Sequence, residues 1–259
     1  MSKIKIGLLQ ISETKIAAAL PEIENALKNE TDLLVLPEKW MPIKEENIIK
    51  DDRHEFLDEI SSLSRDYSSV VLTGALFESF AGEMFITCYA FGPDGEMLAK
   101  QRKLHLFGAE AQSFKPGYEV NYFDYRNSRI GIAICYDIDF PETVRKFALS
   151  DCDMLAVPSK IQKEGIEPWN IYVQARVLEN RMPIAFANFK DGGHFDGRSA
   201  LVEMERREDR NILYTRISAV GECEKLGIFT LDTSLFRSDR KKRLSDRNRT
   251  VDALAWEED

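Results

Sequence analysis

The 259-residue chain predicts a layered α/β sandwich built on mixed sheets. Three observations carry that expectation. Short apolar runs recur along the chain, segments of helical spacing separate the early ones, and turn-forming residues join the later ones as hairpins. Ile4 to Ile11 reads as the first strand. Asp32-Leu33-Leu34-Val35-Leu36 is a continuous apolar run closed by Pro37, the pattern of a strand buried on both faces. Between them, Pro21 to Asn29 sets Ile23, Ala26 and Leu27 on one helical face. Pro21 suits the first turn of that helix, where its missing N–H costs nothing. His54 to Tyr67 puts Phe56, Leu57, Ile60, Leu63 and Ser64 on one helical stripe, and Val70 to Phe77 is a further strand. Phe85 to Phe91 and Glu96 to Lys100 flank Gly92-Pro93-Asp94-Gly95. There Pro fixes one dihedral and Gly supplies positive φ, so the two runs form a hairpin. Ile130 to Cys135 is a core strand, followed by a helix from about Pro141 to Leu149 and a strand at Met154 to Pro158. Pro168 to Asn180 is helical, Pro183 to Asn188 is a strand, and Leu201 to Asp232 holds two or three antiparallel strands. No low-complexity linker or repeat interrupts the chain. It reads as one domain over 1–259, with 233–259 a C-terminal tail.

Composition narrows the function. Hydrophobic residues make up 44% and charged residues 31%, which is ordinary for a folded soluble chain. The 35 basic and 44 acidic side chains give a net charge of −9, which disfavours nucleic acid and anionic membrane as partners. The basic cluster Arg237 to Arg249 runs against that balance and reads as a solvated or subunit-contacting tail. Cys88, Cys135, Cys152 and Cys223 form no C-x-x-C pair, so neither a zinc site nor a disulfide framework is expected. Met1 to Gln10 lacks the apolar core of a signal peptide, and no apolar run is long enough to span a membrane. A cytoplasmic location is expected.

Four residues are candidates for chemistry, each with a plainer reading beside it. Cys135 ends an apolar strand just before a helical segment, where backbone N–H groups and the helix dipole favour a thiolate. The N–H of Tyr136 would then be near a developing oxyanion. A strand cysteine is also a common small core residue. Glu38 emerges at the end of an apolar strand, where ligands of α/β sheets gather, or is simply a solvated loop acid. Lys103 is a fixed cation or a snorkelling surface lysine. His105, between Leu104 and Leu106, reads as a hydrogen-bonded structural residue rather than a partner of the cysteine.

Taken as one ordered set, these segments resemble a known family. Leu36-Pro37-Glu38, Arg102-Lys103-Leu104-His105-Leu106-Phe107 and Cys135-Tyr136-Asp137-Ile138-Asp139-Phe140-Pro141-Glu142 are similar to the three signatures of the nitrilase superfamily, the carbon–nitrogen hydrolases. Glu110 before Phe114-Lys115-Pro116-Gly117, the run Gln174 to Asn180 followed by Asn188, and Gly197-Arg198-Ser199 extend the resemblance from about Lys3 to Asp232. It implies a four-layer αββα sandwich paired into homodimers or larger assemblies, with no metal and no organic cofactor. It also implies that Cys135 is the nucleophile, Glu38 the general base, Lys103 the cation at the tetrahedral intermediate and Glu110 a second carboxylate.

The resemblance points to a small amide or carbamoyl substrate, because Tyr136-Asp137 is the amidase-like form and true nitrilases tend to have Trp-Glu there. A small nitrile is the alternative. A catalytically silent binding or assembly member is the alternative of another class, against which the retention of all four residues argues. The chain departs from the pattern twice. Amidases of this kind often carry Arg where this chain has Asp139, and a Pro and Gly turn after Gly197-Arg198-Ser199 is missing. Asp139 caps the helix beginning near Pro141, faces solvent, or faces the substrate pocket beside Tyr136, where it would repel a second carboxylate.

Overall fold

The computed structural model describes residues 3–207 and 212–248. In chain order its elements are β1 (Lys3–Leu9), α1 (Ile16–Leu27), β2 (Leu33–Val35), β3 (Ile49–Lys50), α2 (Glu55–Asp66), β4 (Val70–Phe80), β5 (Glu83–Phe91) and β6 (Met97–Arg102). There follow β7 (Tyr122–Tyr125), β8 (Ser128–Ile132), α3 (Pro141–Leu149), β9 (Met154–Ser159), α4 (Ile166–Asn180) and β10 (Ile184–Asn188). The last described are β11 (Ala200–Arg207), β12 (Ile212–Ala219), β13 (Leu226–Asp232) and α5 (Arg237–Ser245). One sheet has the order β13-β1-β2-β4-β5-β6, with β3 beside β4, and the other β12-β11-β10-β9-β8-β7. Each has a parallel centre, β1-β2-β4 in one and β8-β9-β10 in the other. Antiparallel strands flank both centres.

The period of two along each strand divides the side chains between three apolar layers. Ile6 and Leu8 of β1 and Val35 of β2 meet Ile132, Met154 and Ala185 between the sheets. The alternate residues Leu34 and Val71 face Ile23 of α1 and Phe56 of α2. On the far side Leu155, Val157 and Phe186 face Phe147 of α3 and Val173 of α4. Each such side chain contributes about 1.5–3 kcal/mol on burial, so a one-residue register slip in a central strand would empty two layers at once. This is the four-layer αββα sandwich that the resemblance implied. Gly131 sets the contact between β8 and α3, since a Cβ there would lie 2.6 Å from both Phe147 and Leu155.

Two details differ from expectation, and the division of the late strands between the sheets adds to it. Helix α1 begins at Ile16 rather than Pro21, so Pro21 lies inside it. Ala19 stands four residues before Ile23 and is buried with it, so the apolar stripe extends upstream of the proline. The strand pairing after Leu201 also divides. β11 and β12 form a hairpin in one sheet, whereas β13 crosses to the other and pairs with β1. Residues 208–211 of that hairpin lie outside the described residues. Finally, the basic C-terminal cluster is not simply solvated. Arg237 and Arg240 of α5 both bond the buried carboxylate of Asp153 at 2.6 to 2.8 Å, and Arg240 is 3% exposed. A buried carboxylate needs such cations. Arg249 lies outside the described residues.

Candidate active site

Strand β8 stops at Ile132, three residues before the expected end, and Cys135 opens a single 3-10 turn with φ of 44°. A non-glycine residue in that left-handed region costs about 1–3 kcal/mol and persists only where its surroundings enforce it. Asp137, which is fully buried, does the enforcing. Its Oδ2 accepts the Ile134 N–H at 2.9 Å. Its Oδ1 accepts the N–H groups of Leu104 and His105 at 3.1 and 2.8 Å and bonds His105 Nδ1 at 3.1 Å. One carboxylate thereby ties the cysteine elbow to the chain that carries Lys103. His105 stacks on Phe140 at 3.7 Å, so it is a structural residue.

Glu38 is seated by an irregularity in β4. The β4–β5 register shifts between Leu72 and Ala75, and Gly74 adopts φ of 76°. A Cβ at Gly74 would stand 2.1 Å from the Pro37 carbonyl oxygen, so only glycine admits the Glu38 loop. The loop is then pinned from both sheets. Lys39 N–H donates to Ala75 O at 2.7 Å, the Trp40 indole to Thr73 O at 2.9 Å, and Glu38 N–H to Ser159 O at 3.2 Å.

These two constructions meet around Lys103. Its ammonium lies 2.7 Å from Glu38 Oε1 and 2.8 Å from Glu110 Oε2. Glu110 is itself held by the Phe107 N–H at 2.8 Å and by the ammonium of Lys39. Lys103 and Glu38 are each 1% exposed. Burial works against the Lys103 cation, but Glu38 and Glu110 outweigh it and hold the amine protonated. Burial also opposes ionisation of Glu110, yet Lys103 and Lys39 keep its carboxyl below the usual range.

Glu38 and the Lys160 backbone N–H both act on the Cys135 sulfur. Burial first, and then the charge of Glu38, push this thiol well up, and Lys103 offsets only part of that. The resting nucleophile is therefore a thiol beside a base, not the thiolate expected from a helix dipole. Helix α3 begins six residues farther on, at Pro141, which is too far for its N-terminal turn to act on the sulfur.

The later motifs brace this centre. Arg176 of α4 donates to the carbonyls of Ile138 and Asp139 at 2.8 and 2.6 Å and clamps the far end of the cysteine turn. Asn188 Oδ1 accepts the Ile161 N–H at 2.7 Å, and the Asn188 backbone N–H donates to the Ser199 hydroxyl oxygen at 2.8 Å, which fixes the chain beside Lys160. A cavity of about 430 Å³ opens over Cys135, lined among others by Lys39, Tyr136, Asp139, Lys160 and Trp169. Tyr136 packs edge-on against Phe107 and Phe140. Asp139 is no helix cap, since the N-cap of α3 is Phe140 and no side chain caps it.

The structure thus brings Glu38, Lys103, Glu110 and Cys135 together, with Tyr136 and Asp139 on the same cavity. Sequence reasoning missed the bracing by Asp137 and the positions of Lys39 and Lys160. Only the tight C-Y-D spacing hinted at the first. Among the described residues, no group of three or more His, Cys, Asp or Glu side chains is placed to hold a metal ion. No described helix is long and apolar enough to cross a membrane.

Comparison with known proteins identifies the family. The family model described as carbon-nitrogen hydrolase matches residues 10–207. The chain is 29% identical over 211 residues to the omega-amidase NIT2 of Bos taurus, covering 73% of this chain and 75% of the relative. In structure it is similar to Saccharomyces cerevisiae Nit3, a member of branch 10 of the nitrilase superfamily. The TM-score is 0.81 at 24% identity, over 96% of this chain and 97% of that one. It is also similar to an amidase from Nesterenkonia sp. AN1, with a TM-score of 0.74 at 22% identity over 93% and 95% of the two chains. That structure carries the acetamide moiety of fluoroacetamide covalently added at its active-site cysteine.

Proposed function

The chain belongs to the carbon–nitrogen hydrolase family, and on that premise we propose that it hydrolyses the C–N bond of a small amide or carbamoyl compound through a thioester on Cys135, releasing ammonia. The observation that carries this reading is the Lys103 ammonium held between two carboxylates beside a neutral thiol. Glu38 takes the thiol proton as sulfur attacks the amide carbon, so the C–S bond forms as the carbonyl becomes an oxyanion. Lys103 and the Tyr136 N–H stabilise that oxyanion, and donors of this kind contribute about 3–4 kcal/mol each. Glu38 then passes the proton to the nitrogen, the C–N bond breaks, and ammonia leaves. Water next attacks the thioester while Glu38 takes its proton. The acid departs and the proton returns to sulfur. The sum is one amide and one water giving one acid and one ammonia.

Glu110 acts in this scheme by fixing Lys103 rather than by touching substrate, and Tyr136 and Asp139 form the substrate wall. The name of the bovine relative, an omega-amidase, supports an amide over a nitrile. The protein works in the cytoplasm as a pair or larger assembly. Exposed Ile171 on α4 and Leu149 on α3 support the pairing, as apolar surface open to cover. Light scattering measures the assembly state. The deciding experiment is ammonia release from a panel of primary amides, matched nitriles and N-carbamoyl amines, with Cys135→Ala as control. Release from nitriles alone would make the protein a nitrilase. A well-folded chain that releases ammonia from no compound would be a silent binding member.

A further inference from the structure

Most charges of the active-site cavity are matched within the protein. Lys39 pairs with Glu110, and Lys103 with Glu38 and Glu110. Two are not. Lys160 lines the cavity and makes no ion pair among the described residues. Its Nζ donates to the Lys39 carbonyl at 3.3 Å and lies 3.8 Å from the centroid of the Phe189 ring. Asp139 lines the same cavity, and its Oδ1 is buried without a hydrogen-bond partner. Arg176, whose charge acts on Asp139, spends its donors on the Ile138 and Asp139 carbonyls and on Glu179. A third polar group, the indole N–H of Trp169, is also buried without a partner on this cavity.

Half-buried charges that no ion pair satisfies are open to a charged ligand, which would offset the cost of holding them there. An amide bearing only a carboxylate would answer Lys160 and be repelled by Asp139. One bearing only an ammonium would meet the reverse. We propose that this cavity selects a primary amide whose far end carries both an ammonium and a carboxylate, the ammonium on Asp139 and the carboxylate on Lys160. The inference rests on amide hydrolysis at Cys135. The cavity volume suits such a molecule.

The test uses four amides that differ only in the charged groups at the far end. L-Glutamine carries both charges, glutaramate only the carboxylate, 4-aminobutanamide only the ammonium, and butanamide neither. In the wild type, kcat/KM for glutamine exceeds that for each singly charged amide by at least about tenfold, the size expected of one charge-assisted contact. Lys160→Met shrinks the glutamine to 4-aminobutanamide ratio, which isolates the carboxylate, by about tenfold. Asp139→Asn shrinks the glutamine to glutaramate ratio, which isolates the ammonium, by a similar factor. Both are ratios within one protein, so the fraction folded cancels. The inference is overturned if either ratio moves less than twofold, or if neutral amides of the wider panel are cleaved and glutamine is not. Ammonia from no amide at all overturns the hydrolase reading instead.

Discussion

Asp137→Asn tests the reasoning about the site most directly, because it changes one atom of a residue that need not touch substrate. The aspartate accepts four bonds, three at Oδ1 and one at Oδ2. Asparagine can offer only one oxygen. With that oxygen in the place of Oδ1, its NH₂ group faces the Ile134 N–H, so one bond is lost and two donors oppose each other. A bond to a charged acceptor is worth about 1.5–3 kcal/mol, and a buried unsatisfied donor costs about 1–3 kcal/mol. The opposite rotamer would lose three bonds and is worse. Urea unfolding followed by far-UV circular dichroism should therefore show a loss of about 2–4 kcal/mol. The elbow that holds Cys135 at φ of 44° loosens at the same time. A displacement of about 1 Å can cost about a hundredfold, so kcat/KM should fall by between tenfold and a hundredfold in buffer where the variant is still fully folded. A stability loss below about 0.5 kcal/mol together with kcat/KM within twofold of wild type would refute the argument. The elbow would then be held by packing such as the His105–Phe140 stack, not by the carboxylate.

The other predictions follow from the same contacts. Cys135→Ala should abolish ammonia release while leaving the melting temperature near that of the wild type. Cys88→Ala and Cys152→Ala should keep activity and lose only modest stability. Alkylation of Cys135 by iodoacetamide should rise with pH only well above the ordinary thiol range in the wild type. In Glu38→Gln that rise should move to lower pH, because a carboxylate that disfavours the thiolate is gone. In Lys103→Met it should move to higher pH, and shifts of the same sign in both variants would contradict the assigned charges. Asp153→Asn should cost about 3 kcal/mol at neutral pH, since two arginines lose a buried partner. Burial opposes ionisation of Asp153, but Arg237 and Arg240 still depress its folded pKa. Its contribution is therefore complete above the unfolded value of about 4 and is lost as pH falls through the folded one. The gap between wild type and Asp153→Asn in acid unfolding should close below about pH 4, and a gap that widened there would contradict the ion pairs.

What the sequence disclosed follows from how far each interaction reaches along the chain. Helix α3 was legible to the residue because Pro141 at its start and the spacing of Val144, Phe147 and Ala148 are local signals. The start of α1 was misplaced because Pro21 is equally at home in a first turn, and only the buried stripe from Ala19 onward decides against that. Sheet membership was not legible, since an alternating strand such as β13 does not record which edge it will join. The site divides in the same way. Glu38, Lys103 and Cys135 were named by their motifs, yet each alone read as well or better as a solvated acid, a snorkelling lysine and a core thiol. Only contacts across 65 and 71 positions make a charge network of Glu38, Lys103, Lys39 and Glu110. Asp137 reaches back 32 and 33 positions to the Lys103 loop, a pairing no local pattern encodes. In the tail, a run of basic residues averages to a solvated face, which hides the one guanidinium that the body buries. The same limit applies to Lys160 and Asp139. A sequence shows a charge but not whether it has a partner, and only the folded chain shows that these two charges line one cavity with no ion pair among the described residues.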